Sequence, residues 1–243
     1  LPDTNETVII GGESKNDAWR TTNSGLTFTK ISSNVFVQGG RGNHGCVAVT
    51  ATKLFAFGGS FLFGYGLRND VSVSTDSGAT WTDVDHSSCG ANQRMWTKRH
   101  SFCYTFMPLL GRIVVAGGKN GTHMQNDVWY SNVDAKCWTQ ASDDMSKTGF
   151  FGAELLTVPF GGVEALLLLG GEGRRYGMNS VELSINGGSI WTIVGSVWPS
   201  RTSFTAVVDT RFARLLVWGG YSVKADLWTA PLLPVYNALV PNH

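Results

Sequence analysis

Glu13 and Glu172 each stand directly after a glycine doublet, and Asp143 and Asp144 are adjacent. Paired carboxylates are the machinery of glycoside hydrolysis, one as acid and one as base or nucleophile. An acid after a glycine pair also has a plainer use, bonding the backbone of the turn that follows. The histidines, His44, His86, His100, His123 and His243, are scattered singly, so no metal-ligand spacing is formed. "GGEGRRYG" at 170–177 is glycine-rich but does not lead into a helix, so it is no phosphate loop. No serine or cysteine sits in a nucleophile-elbow sequence. The residues therefore predict no catalytic group, no metal and no cofactor.

A different set points to binding. Phe61, Phe63, Tyr65, Arg68, Met95, Trp96, His123, Met124, Arg174, Arg175, Tyr176, Trp198 and Tyr221 fall in segments that read as loops. Aromatic residues, Met and Arg are the types enriched in contact patches. "GGSFLFGYGLRND" at 58–70 is the clearest case, an apolar stretch bounded by turn signals at both ends. Either Phe61, Leu62 and Phe63 fold inward as a plug, or they meet a partner.

The elements that carry these loops recur. An apolar strand runs into a glycine doublet five times: "TVIIGG" at 7–12, "LFAFGG" at 54–59, "RIVVAGG" at 112–118, "ALLLLGG" at 165–171 and "RLLVWGG" at 214–220. A second strand follows each one, from Asn16, Asn69, Asn126, Asn179 and Ala225. Four of these lead through a turn to an aromatic-headed strand, at Phe28, Trp81, Trp138 and Trp191. Four doublets are also preceded by a strand: "HGCVAV", "SFCYTF", "GAELLTV" and "SFTAVV". Four strands in about 50 residues is the period of a propeller blade.

This unit, with its doublet, its "NDVW" strand and its later Trp, resembles a kelch repeat across nearly the whole chain. "STDSGATW" at 74–81 resembles the Asp-box turn of sialidases and related propellers; "TTNSGLTF" at 21–28 and "SINGGSIW" at 184–191 are variants with Asn for Asp. The resemblance implies an all-β, five-bladed β-propeller of four-stranded antiparallel blades in one domain, residues 1–243. Blades fall at approximately 1–34, 35–88, 89–142, 143–196 and 197–243. It also implies closure by pairing of the N- and C-terminal strands, with a tail strand over Val235 to Val240. The first blade has too few leading residues for an innermost strand, which leaves open a strand donated by another molecule.

Sialidases hold a carboxylate with three arginines beside a tyrosine nucleophile. Arg68, Arg99, Arg174, Arg175 and Arg201, with Tyr65 or Tyr176, are the candidates, but the arginine-bearing N-terminal motif of that family is absent. Alternating connections put the loops after the doublets and the blade links on one face, and the Asp-box turns on the other. All the candidate contact residues lie on the first face. The expectation is a non-catalytic propeller that binds a protein partner or self-assembles through that face. A carbohydrate-binding propeller is the alternative, and a sialidase or sugar epimerase the third.

Composition agrees. The net charge is +1 and only 15% of residues are charged, so nucleic-acid partners and membrane insertion are not expected. Cys46, Cys89, Cys103 and Cys137 allow two disulfides in three pairings. Asn5 and Asn120 head glycosylation sequons. Together these favour an extracellular or cell-surface protein. Cys46 and Cys103 read as matching positions on adjacent inner strands.

Overall fold

The computed structural model describes residues 1–2, 4–61, 64–90, 95–145, 148–160, 162–173, 179–196, 198–221 and 225–232. It is all-β, with five antiparallel sheets arranged as the blades of a propeller. Blade 1 comprises Thr7–Gly12, Lys15–Thr21 and Thr29–Ser32. Blade 2 comprises Gly45–Ala48, Leu54–Phe57, Val71–Ser74 and Thr82–Asp83. Blade 3 runs through Cys103–Met107, Arg112–Ala116, Val128–Asn132 and Trp138–Ser142. Blade 4 runs through Glu154–Phe160, Val163–Leu169, Ser180–Ser184 and Thr192–Ser196. Blade 5 has Thr205–Asp209, Arg214–Trp218 and Leu227–Pro231. Among the described residues the first blade has three strands and no innermost one. The expected closing strand, Val235 to Val240, lies outside the described residues.

The strand before each doublet explains why these apolar runs do not alternate. In blade 2, Leu54, Phe55, Ala56 and Phe57 are all buried. Each faces either the preceding or the following sheet, so both sides of the strand are covered. Phe57 packs toward blade 3, against Phe102, while Ala56 packs toward blade 1. Fully burying one such side chain contributes about 1.5–3 kcal/mol.

Repeated polar parts fix the sheets. Arg41 is buried and donates two bonds to the Asp70 carboxylate and one to the Gly58 carbonyl. Arg99 does the same with Asp127 and Gly117, and Arg201 with Asp226 and Gly219. A buried guanidinium is tolerated because both carboxylate oxygens and a carbonyl accept from it. In blade 4 the partners change together: Phe150 holds the arginine position and Ser180 the aspartate position. The turn at 74–81 is built as its residues predict. Asp76 accepts from the Thr80 amide and hydroxyl, and Ser74 Oγ accepts from the Gly78 amide. The Trp81 indole N–H donates to the Gly78 carbonyl.

Two expectations are corrected. Cys46 and Cys103 do not match: Cys103 pairs with Ala116, directly before a doublet, and the blade-2 residue in that register is Gly45. Cys46 instead matches Tyr104, and both free cysteines serve as packing residues. The disulfide joins Cys89 in the link after blade 2 to Cys137 before the outer strand of blade 3.

Candidate functional site: the channel mouth and its rim

Each inner strand of blades 2 to 5 is entered through one residue in the left-handed conformation: Asn43 (φ 52°), Ser101 (φ 52°), Gly152 (φ 61°) and Ser203 (φ 53°). That backbone turns the chain from the outer link into the channel wall. The four residues are chained to one another around the axis. The Ser101 amide donates to Asn43 O at 3.1 Å, Gly152 to Ser101 O at 2.9 Å, and Ser203 to Gly152 O at 2.7 Å. This arc of three main-chain bonds spans four blades and frames the mouth of the channel.

Inside the frame is an open cavity of about 250 Å³. His44, Ser101, Cys103, Tyr104, Glu154 and Ser203 supply its polar groups. Burial pushes the Glu154 carboxyl up to about 7. Burial, and then the Arg41 guanidinium, push the His44 ring down to about 4. The Cys103 thiol is raised by burial, with Glu154 adding to it, and it donates to the Ala116 carbonyl. At neutral pH the cavity thus carries a neutral imidazole, a protonated thiol and a carboxyl near its midpoint. A protonated, bonded thiol is a poor nucleophile.

The loops stand around this mouth. After the doublets, Ser60–Phe61 pairs with Tyr65–Leu67, and Lys119–Asn120 pairs with His123–Met124. Single bridges tie these segments to the blade entries: Gly42 with Ser60, His100 with Lys119, Thr202 with Tyr221. Gly64 sits over the His100 ring, where a Cβ would lie 3.4 Å from Nε2. The Lys119 ammonium lies 3.6 Å from the centre of the Phe151 ring. Post-doublet loops and blade links therefore share one face, as the alternation of connections predicts.

Of the rim residues expected from sequence, Tyr65 is 79% exposed, Tyr221 75% and Phe61 46%. His123 is exposed, and Arg68 and Met95 are half-buried. Phe61 does not line the channel cavity, so it is no plug. Trp96 is a correction. It is fully buried between blades 2 and 3, packed on Phe102 and Trp138, with Arg99 5.6 Å from its ring. Trp198 is buried in the same way between blades 4 and 5. Phe63, Arg174, Arg175 and Tyr176 lie outside the described residues. Asn5 is exposed, and Asn120 is half-buried in its hairpin.

Among the described residues the candidate catalytic groups are not brought together. Arg99 and Arg201 are consumed in scaffold ion pairs, so neither is free to hold a substrate carboxylate. Glu13 is in the first blade's turn, Glu172 pairs with Phe151 in blade 4, and Asp144 accepts from Asn126. The arc of entry residues and Glu154 were not anticipated. A sequence signal exists for the former: "RGNH", "RHSF" and "RTSF" recur at 41–44, 99–102 and 201–204.

No model of a known protein family and no curated protein matches this chain.

Proposed function

We propose that this protein is a non-catalytic, kelch-like propeller with Asp-box turns, secreted or held at a cell surface, whose loop face grips a protein partner. The observation that carries the reading is the arc of exposed rings, Phe61, Tyr65 and Tyr221, standing around an open cavity on one face. Rigid aromatic anchors beside a pocket that admits one side chain are the anatomy of a contact hot spot. The Cys89–Cys137 bond fits an oxidising compartment. Asn5 and Asn120 are the sites a glycan would take.

The test is site-specific photo-crosslinking with the full chain. A benzophenone side chain at Tyr65 or Tyr221 gives one discrete protein adduct from the secreted fraction of the source. The same group at Leu26, on the opposite face, gives none. The Tyr65→Ala/Tyr221→Ala double variant competes about tenfold less well or worse, with an unchanged melting temperature because both rings are exposed. Adducts spread equally over both faces overturn the reading. Selective binding to one sugar class on a glycan array replaces it with a lectin, and turnover of a sialoside with an enzyme.

A further inference from the structure

Each filled junction between successive blades contains the same three parts. The residue before the doublet is covered by the next blade: Ile10, Phe57, Ala116 and Leu169 are all buried. The first glycine lies under a ring of the next blade. A Cβ there would come within 3.1 Å of His44 at Gly11, 2.7 Å of Phe102 at Gly58, 2.5 Å of Phe150 at Gly117 and 2.8 Å of Phe204 at Gly170. The second glycine donates its amide to the next blade's entry carbonyl. These bonds run from Gly12 to Arg41, Gly59 to Arg99, Gly118 to Phe150 and Gly171 to Arg201, at 2.7–3.1 Å.

At blade 5 all three parts are missing among the described residues. Trp218, before the doublet, is 38% exposed, and Leu227 beside it is 65% exposed. The counterparts of Leu227, namely Val71, Val128 and Val181, are buried. A Cβ at Gly219 would meet nothing within 4 Å. The Gly220 amide has no counterpart of the four cross-blade bonds.

Blade 1 is open on the facing side. Ile9 is 49% exposed, whereas the residues in its register, Ala56, Val115, Leu168 and Val217, are buried by the preceding blade. Gly78 of blade 2 packs on Val8 and Ile31 of blade 1, but the matching Gly25 of blade 1 meets nothing. Had blades 1 and 5 closed on each other, Trp218, Leu227 and Ile9 would be buried together. Among the described residues blade 1 has no inner strand, and so no entry ring or entry carbonyl with which to complete the lock. A second copy would present that same described face of blade 1.

We infer that the gap between blades 5 and 1 is the seat of a further sheet of this repeat, next in chain order after blade 5. Its entry segment lays an aromatic ring on Gly219 and accepts the Gly220 amide, and its body covers Trp218 and Leu227. Succession in chain order follows from the four filled junctions, each made between consecutive repeats.

The experiment appends a complete repeat of this chain, residues 89–142 with its own disulfide, after His243. Hydrogen exchange is then read at the doublet amides of the parent and extended chains. In the parent, Gly220 exchanges freely at every protein concentration. In the extended chain it slows by about a hundredfold, to the level of Gly171, and Trp218 loses its access to acrylamide. Leu227→Asp leaves the parent's melting temperature unchanged and abolishes the new protection in the extended chain. Protection of Gly220 in the parent that rises with concentration means a second copy fills the gap. Protection at all dilutions means blades 1 and 5 close directly. An appended sheet that stays protease-labile, with Gly220 still exchanging freely, means the face does not accept this repeat. Each of these three results overturns the inference.

Discussion

Glu154 shows why side-chain chemistry at the channel is hard to see in sequence. "GAELLTV" reads as an ordinary inner strand, and nothing in it marks the glutamate as channel-facing. That orientation comes from its pairing with Leu169, the last residue before a doublet. The consequence is testable by pH. An unfolded glutamate carboxyl titrates at 4.5, and in the fold burial raises Glu154 to about 7. Between those values the folded state holds the extra proton, so the Glu154 contribution to stability falls as pH rises from 4.5 to 7, then stays flat. His44 works the other way. Its folded value, about 4, lies below the unfolded 6.5, so its contribution is lost as pH falls through that window. Glu154→Gln separates the two. At pH 8 the variant melts roughly 2–6 °C above the parent, and at pH 4.5 the two coincide. A variant that melts lower at both pH values shows that the carboxylate has a partner. Tyr65 and Tyr221 were legible as rim residues because a short loop leaves them nowhere to hide. Trp96 was not, because residue type does not give direction: the space above Gly58, where a Cβ would lie 2.6 Å from the Trp96 ring, draws the indole inward.

Among the elements, turns and doublets were legible and the bonds between distant segments were not. Ser74, Asp76, Gly78 and Trp81 are close enough in sequence that their hydrogen bonds follow from spacing alone. Arg41 and Asp70 are 29 residues apart, and only the sheet brings them within 2.6 Å. Cys89 and Cys137 are separated by 48 residues, and the strands of blade 3 between them set the approach. The link at 86–90 is otherwise held by few bonds, including His86 Nδ1 to the Lys136 carbonyl. The bridge therefore closes a long loop at the periphery rather than locking the core. Loop-closure entropy puts its removal at about 2–4 kcal/mol. Cys137→Ser lowers the unfolding free energy by that amount, with unfolding still a single cooperative transition, because the four packed junctions survive. Loss of cooperativity would show that blade 3 needs the bridge to fold.

For the whole molecule, the fivefold repeat was readable because apolar runs, doublets and turns recur in one register. How the array ends was not readable, because closure depends on which faces find neighbours. Burial records that difference directly. The pre-doublet strands of blades 2, 3 and 4 are buried along nearly their whole length, while Thr7–Gly12 buries only Ile10 and Arg214–Trp218 only Leu215 and Val217. In an array stabilised by nearest-neighbour interfaces, a unit with one neighbour opens before a unit with two. Hydrogen exchange of the 243-residue chain should therefore be graded, not uniform. The amides of Ile113, Val114 and Val115, and of Leu166 and Leu167, exchange slowest and only through global unfolding. Those of Ile9, Ile10, Leu215 and Val217 exchange about 10- to 1000-fold faster, through local opening of the terminal blades. The contrast persists in Tyr65→Ala, since a rim ring supports no junction. If all five blades instead exchange at one common rate, the two terminal faces are already covered in solution and the molecule is a closed, evenly cooperative ring.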